Sequence, residues 1–100
     1  MKVVTVSKTG SGSTSAVVLN TDISPFNVGF GVIVSGVVNY TVQHTFDDPA
    51  STLSTWFPHP TLASQIASAD GNYAFPVTAI RVTVNSGAGS VTLKAIQAGI

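Results

Sequence analysis

The chain contains no cysteine and no glutamate, and charged side chains make up only 8% of its 100 residues. Without cysteine it has no disulfide framework, no thiolate metal site and no thiol nucleophile. The four basic residues, Lys2, Lys8, Arg81 and Lys94, are too few and too scattered for a stripe that tracks phosphates, which disfavours nucleic-acid binding. They form no polybasic patch for a membrane surface either. No apolar run approaches the length of a membrane span. The N-terminal MKVVTVSKTGSGS alternates too soon to supply the unbroken apolar core of a signal peptide, so the expectation is a protein kept without secretion. A free monomer of this size normally carries roughly a quarter charged residues. Here the formal net charge is zero, a balance that favours association. A surface covered in use, by copies of itself or by other proteins, is therefore expected.

What is present is β-branched and periodic. Val38, Tyr40, Val42, His44 and Phe46 share one face of a strand, with polar residues between them. Asp47, Asp48 and Pro49 end it, and Asp48 with Pro49 suits the start of a short helical turn over Ala50 to Thr55. Pro58 and Pro60, on either side of His59, argue against regular structure there. Upstream, Val3 to Lys8 reads as a first strand, an edge or an arm, followed by a flexible connection from Thr9 to Ser15. Ala16 to Asn20 reads as a buried strand, and Thr21 to Pro25 as a turn. Phe26 to Val34 alternates with apolar residues at even positions, and its outer-face glycines, Gly29 and Gly31, suggest a bulge, curvature or a close backbone approach.

Parity allows this strand to form a hairpin with the next through a loop of Ser35, Gly36 and Val37, pairing Val34 with Val38 and Val32 with Tyr40. If it does not, Gly36 marks a crossing between sheets. Leu62 to Ala69 is ambiguous, and Asp70-Gly71 is a turn signal. Tyr73 and Phe75 share a side before Pro76. Ile80, Val82 and Val84 point inward, as do Val91, Leu93 and Ala95, and these two strands are expected to form a C-terminal hairpin pairing Val84 with Val91. Seven to eight short strands with no long amphipathic helix describe an all-β, single-domain, two-sheet sandwich, jelly-roll or Greek-key-like, over residues 1–100. Residues 1–15 are expected as an extended arm and loop. The length suffices to bury about two-thirds of the unfolded surface without metal or disulfides.

The residues offer three candidate chemistries. His44, Asp47, Asp48 and His59 could ligate a metal, but their spacing is nonspecific and His44 lies on the expected core face. Asp47 or Asp48 with Asp70, or a serine with His44 or His59, could form a hydrolytic set. No nucleophile elbow, zinc-binding helix motif or phosphate loop accompanies them, and Gly10 and Gly12 lack the lysine and helix of such a loop. Tyr40, Trp56, Phe57 and Tyr73 could form a sugar-binding platform. Aromatics also anchor cores and interfaces, and the low charge favours that use. No catalytic residue, cofactor or metal is assigned; Trp56, Phe57, His59 and Tyr40 are the interface candidates.

The segments YTVQHTFDDP (Tyr40 to Pro49) and TWFPHP (Thr55 to Pro60), followed by DGNYAFPVTAIRVTV (Asp70 to Val84) and SGAGSVTL, resemble small virion structural proteins of tailed bacteriophages. The resemblance runs from about Val32 onward. It implies a non-enzymatic accessory component of the particle, such as a capsid decoration or cement protein. Its expected partners are further copies of itself and the major capsid protein, and its expected location is the virion. The alternative is a tail or head-appendage subunit that binds carbohydrate or a receptor. Association through Trp56 and Phe57 would be accompanied by β-augmentation through the first strand.

Overall fold

The computed structural model describes residues 2–22, 26–48, 50 and 54–97. Within them the strands are β1 (Lys2–Thr9), β2 (Gly12–Ser13), β3 (Val17–Val18), β4 (Val28–Ser35), β5 (Asn39–Thr45), β6 (Trp56–Pro58), β7 (Ala69–Tyr73), β8 (Ala79–Ser86) and β9 (Ser90–Gln97). They form two antiparallel sheets. Sheet A has the order β1-β9-β4-β7; sheet B has β2-β8-β5-β6, with β3 also paired to β8. The fold is the expected all-β sandwich.

The pairing follows one rule if β2 and β3 are taken as a single interrupted strand. First pairs with last (β1 with β9), second with second-last (β2 and β3 with β8), then β4 with β7 and β5 with β6. The chain is thus one long antiparallel ribbon with its tip between β5 and β6. It is rolled so that β4 also meets β9 and β5 also meets β8. That is the wiring of a jelly roll.

Residues alternate as the sequence requires. Val28, Phe30 and Val32 of β4 and Val91, Leu93 and Ala95 of β9 face Tyr40 and Val42 of β5 and Ile80, Val82 and Val84 of β8, all buried between the sheets. Both expected hairpins are corrected. β4 lies beside β9 and β7, and β5 beside β8 and β6, so Gly36 marks a crossing between sheets. Likewise β8 and β9 belong to opposite sheets, and Val84 faces Tyr40 while Val91 faces Val34.

Other expectations also shift. Val3 to Lys8, read as a first strand that is an edge or an arm, is an edge strand, with residues 2–9 paired along their whole length with β9, whereas Gly12–Ser13 of the supposed flexible connection pair with Val84 and Thr83. Of the strand expected over Ala16 to Asn20, only Val17–Val18 are paired as strand. Asp70-Gly71 does not turn but lies inside β7, where a side chain on Gly71 would come within 3.1 Å of the Phe30 ring and 3.2 Å of Leu62. Trp56–Pro58 pairs with β5 despite its proline, which an edge position tolerates. The helical turn over 50–55 and the turn over 21–25 lie in part outside the described residues.

Two side chains clip the sheets together at their margins. The Gln97 amide accepts from the Asn20 N–H (2.8 Å) and donates to the Asn20 carbonyl (2.9 Å), imitating a strand neighbour. The second clip is His59.

Candidate functional site

The open end of the sandwich lies where β5 stops. Beyond Thr45 the chain enters the ribbon tip, and the alternating pattern carries Phe46 past the end of the sheet, leaving it 54% exposed. Two neighbours end in the same way. Phe57 sits opposite His44 on the edge strand β6, and Phe75 follows the buried Tyr73 of β7; both are also exposed. The three rings surround His44, with centroids 5.4 Å (Phe46), 5.9 Å (Phe57, stacked) and 5.5 Å (Phe75) from the imidazole.

His44 itself is buried, and its Nδ1 is 2.9 Å from the Tyr73 hydroxyl. Burial, with a smaller effect from His59, holds its pKa below the ordinary 6.5, so the ring is neutral at pH 7; the buried Tyr73 O–H has no other acceptor among the described residues and therefore donates to Nδ1. Burial likewise pushes the Tyr73 phenol far above its usual range and keeps it a donor. Among the described residues no side-chain nitrogen or oxygen is both sealed from solvent and without a partner. His44 Nε2, which has none, is therefore not fully sealed from solvent. The site is a collar of rings with one neutral imidazole edge at its floor.

The four interface candidates separate sharply. Phe57 belongs to the collar. Trp56, its neighbour on the strand, alternates to the opposite face of sheet B and lies half-buried under the Arg81 guanidinium, 4.0 Å from the ring centroid. Arg81 is held there by the Gln43 side-chain Oε1, which accepts from its Nε–H and also from the Thr83 hydroxyl. Tyr40 is fully buried, and its hydroxyl donates to the Ala67 carbonyl at 2.7 Å, so it offers no surface. His59 is internal as well. Its Nδ1 accepts from the Thr61 and Leu62 N–H groups at 3.1 and 3.2 Å, which places the proton on Nε2 for donation to the Asn72 carbonyl of the other sheet. Its ring edge rests on Phe30 and Tyr73.

The carboxylates have local work. Asp47 accepts from the Thr55 N–H at 2.8 Å, and Asp48 from the Ala50 N–H at 3.0 Å; together they tie down the ribbon tip. Asp70 is exposed on sheet A, away from both. No cluster of three metal-ligating side chains occurs among the described residues. Phe46 and Phe75 were missed as surface residues because they continue core-facing patterns. The signal was present in the stops that follow them, Asp47-Asp48-Pro49 and Pro76.

A second apolar feature lies on the outer face of sheet A. A shallow depression of about 220 Å³ is lined by Val3, Gly29, Phe30, Gly31, Ala95 and Ile96 together with Lys94. Of the bulge, curvature or close backbone approach that Gly29 and Gly31 suggested, the bulge is absent, since β4 keeps an unbroken register with β9 and β7. Comparison with protein-family models, with curated proteins and with solved structures gives no match to this chain.

Proposed function

We propose that the chain is a structural protein of a tailed-bacteriophage particle, a capsid decoration or cement subunit that works through protein–protein contacts at the Phe46, Phe57 and Phe75 collar. The observation that carries this reading is the collar itself. Three large rings are left in water at one end of a small domain with few charges, where each costs free energy unless another surface covers it. The likeness of YTVQHTFDDP and TWFPHP to phage virion proteins agrees, and both segments border the collar. Jelly rolls recur in viral capsids, but also in lectins, so the fold alone does not choose between them.

The test uses heads of the encoding phage prepared without the chain. Purified wild-type protein is expected to co-sediment with them at saturating stoichiometry and raise their thermal resistance. A Phe46→Ser/Phe57→Ser/Phe75→Ser variant should fold and stay in the supernatant. Wild-type protein that remains in the supernatant would sink the proposal. A glycan array would then test the carbohydrate-binding alternative, for which the collar is the only free aromatic platform among the described residues, one face of Trp56 being occupied by Arg81.

A further inference from the structure

Each sheet has two edges, and three of the four are blunted in recognised ways. β6 has three residues and includes Pro58, β2 and β3 are two-residue fragments, and β7 has five residues with Asp70 among them and Pro76 soon after. The fourth, β1, is an uninterrupted eight-residue strand without proline, paired to β9 on one side with no register shift and to nothing described on the other. An edge of this length presents a row of free N–H and C=O groups that fits another strand.

We propose that two copies of the chain pair antiparallel through β1, so that sheet A continues across a two-fold axis with Val6 facing Val6 of the second copy. The alternation of β1 limits the choice. Val4, Val6 and Lys8 lie on the half-buried row, and Val3, Thr5, Ser7 and Thr9 on the exposed outer row. A two-fold that joins core row to core row must place one residue opposite its own copy. Thr5 on the axis would set Lys2 against Lys8 at both ends, a like-charge pairing that a strand pair disfavours. Ser7 or Val4 on the axis would shorten the paired stretch.

Val6 on the axis pairs Val3 through Thr9 in full. Thr5 then faces Ser7, Val3 faces Thr9, and Val4 faces the aliphatic stem of Lys8, with no like charges opposed and about six to eight backbone hydrogen bonds formed. Lys8 therefore selects the register rather than blocking the edge, and a net charge of zero leaves no long-range repulsion between copies. This association is independent of the aromatic collar and of the particle role proposed for it.

Because the chain has no cysteine, single-cysteine variants read the register directly. Under mild oxidation Val6→Cys should give a disulfide-linked dimer on a non-reducing gel, whereas Thr5→Cys and Ser7→Cys should remain monomeric. Crosslinking through either of those instead would overturn the proposed pairing. Sedimentation equilibrium supplies the second measurement. Thr5→Asp/Ser7→Asp, which sets carboxylates opposite each other in both Thr5–Ser7 pairs of the dimer while the carboxylate at position 5 stays beside Lys94 within its own sheet, should weaken dimerisation about tenfold, and Thr5→Asp/Ser7→Lys should restore it. Wild-type protein that stays monomeric up to about 0.5 mM, or a dimer indifferent to Thr5→Asp/Ser7→Asp, would refute the proposal. Loss of head binding in the collar variant with β1 pairing intact would separate the two readings.

Discussion

At the Asn39 end of β5 the sandwich is closed by backbone lying on backbone, whereas at the Thr45 end it is closed by rings. The first end holds the two crossings, Gly36 between β4 and β5 and Gly87 to Gly89 between β8 and β9. The Gly89 N–H donates to the Val37 carbonyl at 3.1 Å, and its own carbonyl accepts from Gly10 at 3.0 Å. A side chain on Gly89 would meet the Ser35 carbonyl oxygen at 2.5 Å, and one on Gly87 would collide with the Val37 carbonyl. Gly36 and Gly87 also hold φ values of 85° and 102°, where only glycine is at ease. Such an end has one solution and offers little to a partner. The ring-closed end tolerates variation in side chains and leaves three phenylalanines facing outward, so it can evolve as a surface while the other end fixes the wiring.

The largest effect that would break this contrast lies at the glycine end. Gly87→Ala should cost about 3 kcal/mol or more in urea denaturation, because it combines positive-φ strain with a backbone collision. A variant as stable as the wild type would mean that the crossings do not touch. Tyr73→Phe comes next. It leaves His44 Nδ1 without its donor in a buried site and should cost about 1–2 kcal/mol.

The same histidine gives the ring end a pH dependence that the glycine end lacks. With the folded pKa below the unfolded 6.5, the unfolded chain binds more protons as pH falls. Stability from this group is complete above about 6.5 and declines as pH falls through the folded pKa. Melting temperatures between pH 7.5 and 5 should show that decline, and His44→Gln should flatten it. An unchanged slope would place the titrating group elsewhere. The collar substitutions should be milder still for folding, within about 1 kcal/mol for Phe57→Ser alone, since that ring is already 44% exposed. A larger loss would make the collar part of the core rather than a surface.

The contrast also explains what the sequence could reveal. Period-two alternation correctly sorted Val28, Phe30, Val32, Tyr40, Val42, Ile80, Val82, Val84, Val91, Leu93 and Ala95 to the interior, because burial of one face is a local demand. It could not choose partners. Two strands whose apolar sets face each other across a core satisfy the same parity as two strands in a hairpin, and the ribbon pairs β1 with β9, the most distant strands in the chain. Gly36 and Gly87 carried the missing information, since each breaks a strand at a point where the chain leaves its sheet. Asp70-Gly71 misled for the opposite reason: its glycine makes room for Phe30 and Leu62, not for a turn. For the site, Phe57 was legible as an exposed aromatic, and Tyr40 lay on the core-facing row although it also stood among the interface candidates, but His59 was not recognisable as an interior group. Their hydrogen-bond partners, Ala67, Asn72, Thr61 and Leu62, reach them through folding of the 59–67 segment.

The smallest predicted effect has the opposite sign and uses the same residue type. Gly29 and Gly31 of β4 are absent from the positive-φ set, and a side chain there would meet only Ile96 at 3.7 Å or the Ala69 carbonyl at 4.0 Å. Nothing within the described chain requires glycine at either position, and glycine inside a strand is intrinsically unfavourable. Gly31→Ala should therefore stabilise the fold by about 0.5–1 kcal/mol in the same urea titration in which Gly87→Ala destabilises it. The gain would show that glycines 87 and 89 are held by the architecture and 31 is not. A loss instead would mean that the outer face of β4 is more crowded than the sheet register implies, and the sharp division between required and dispensable glycines would fail.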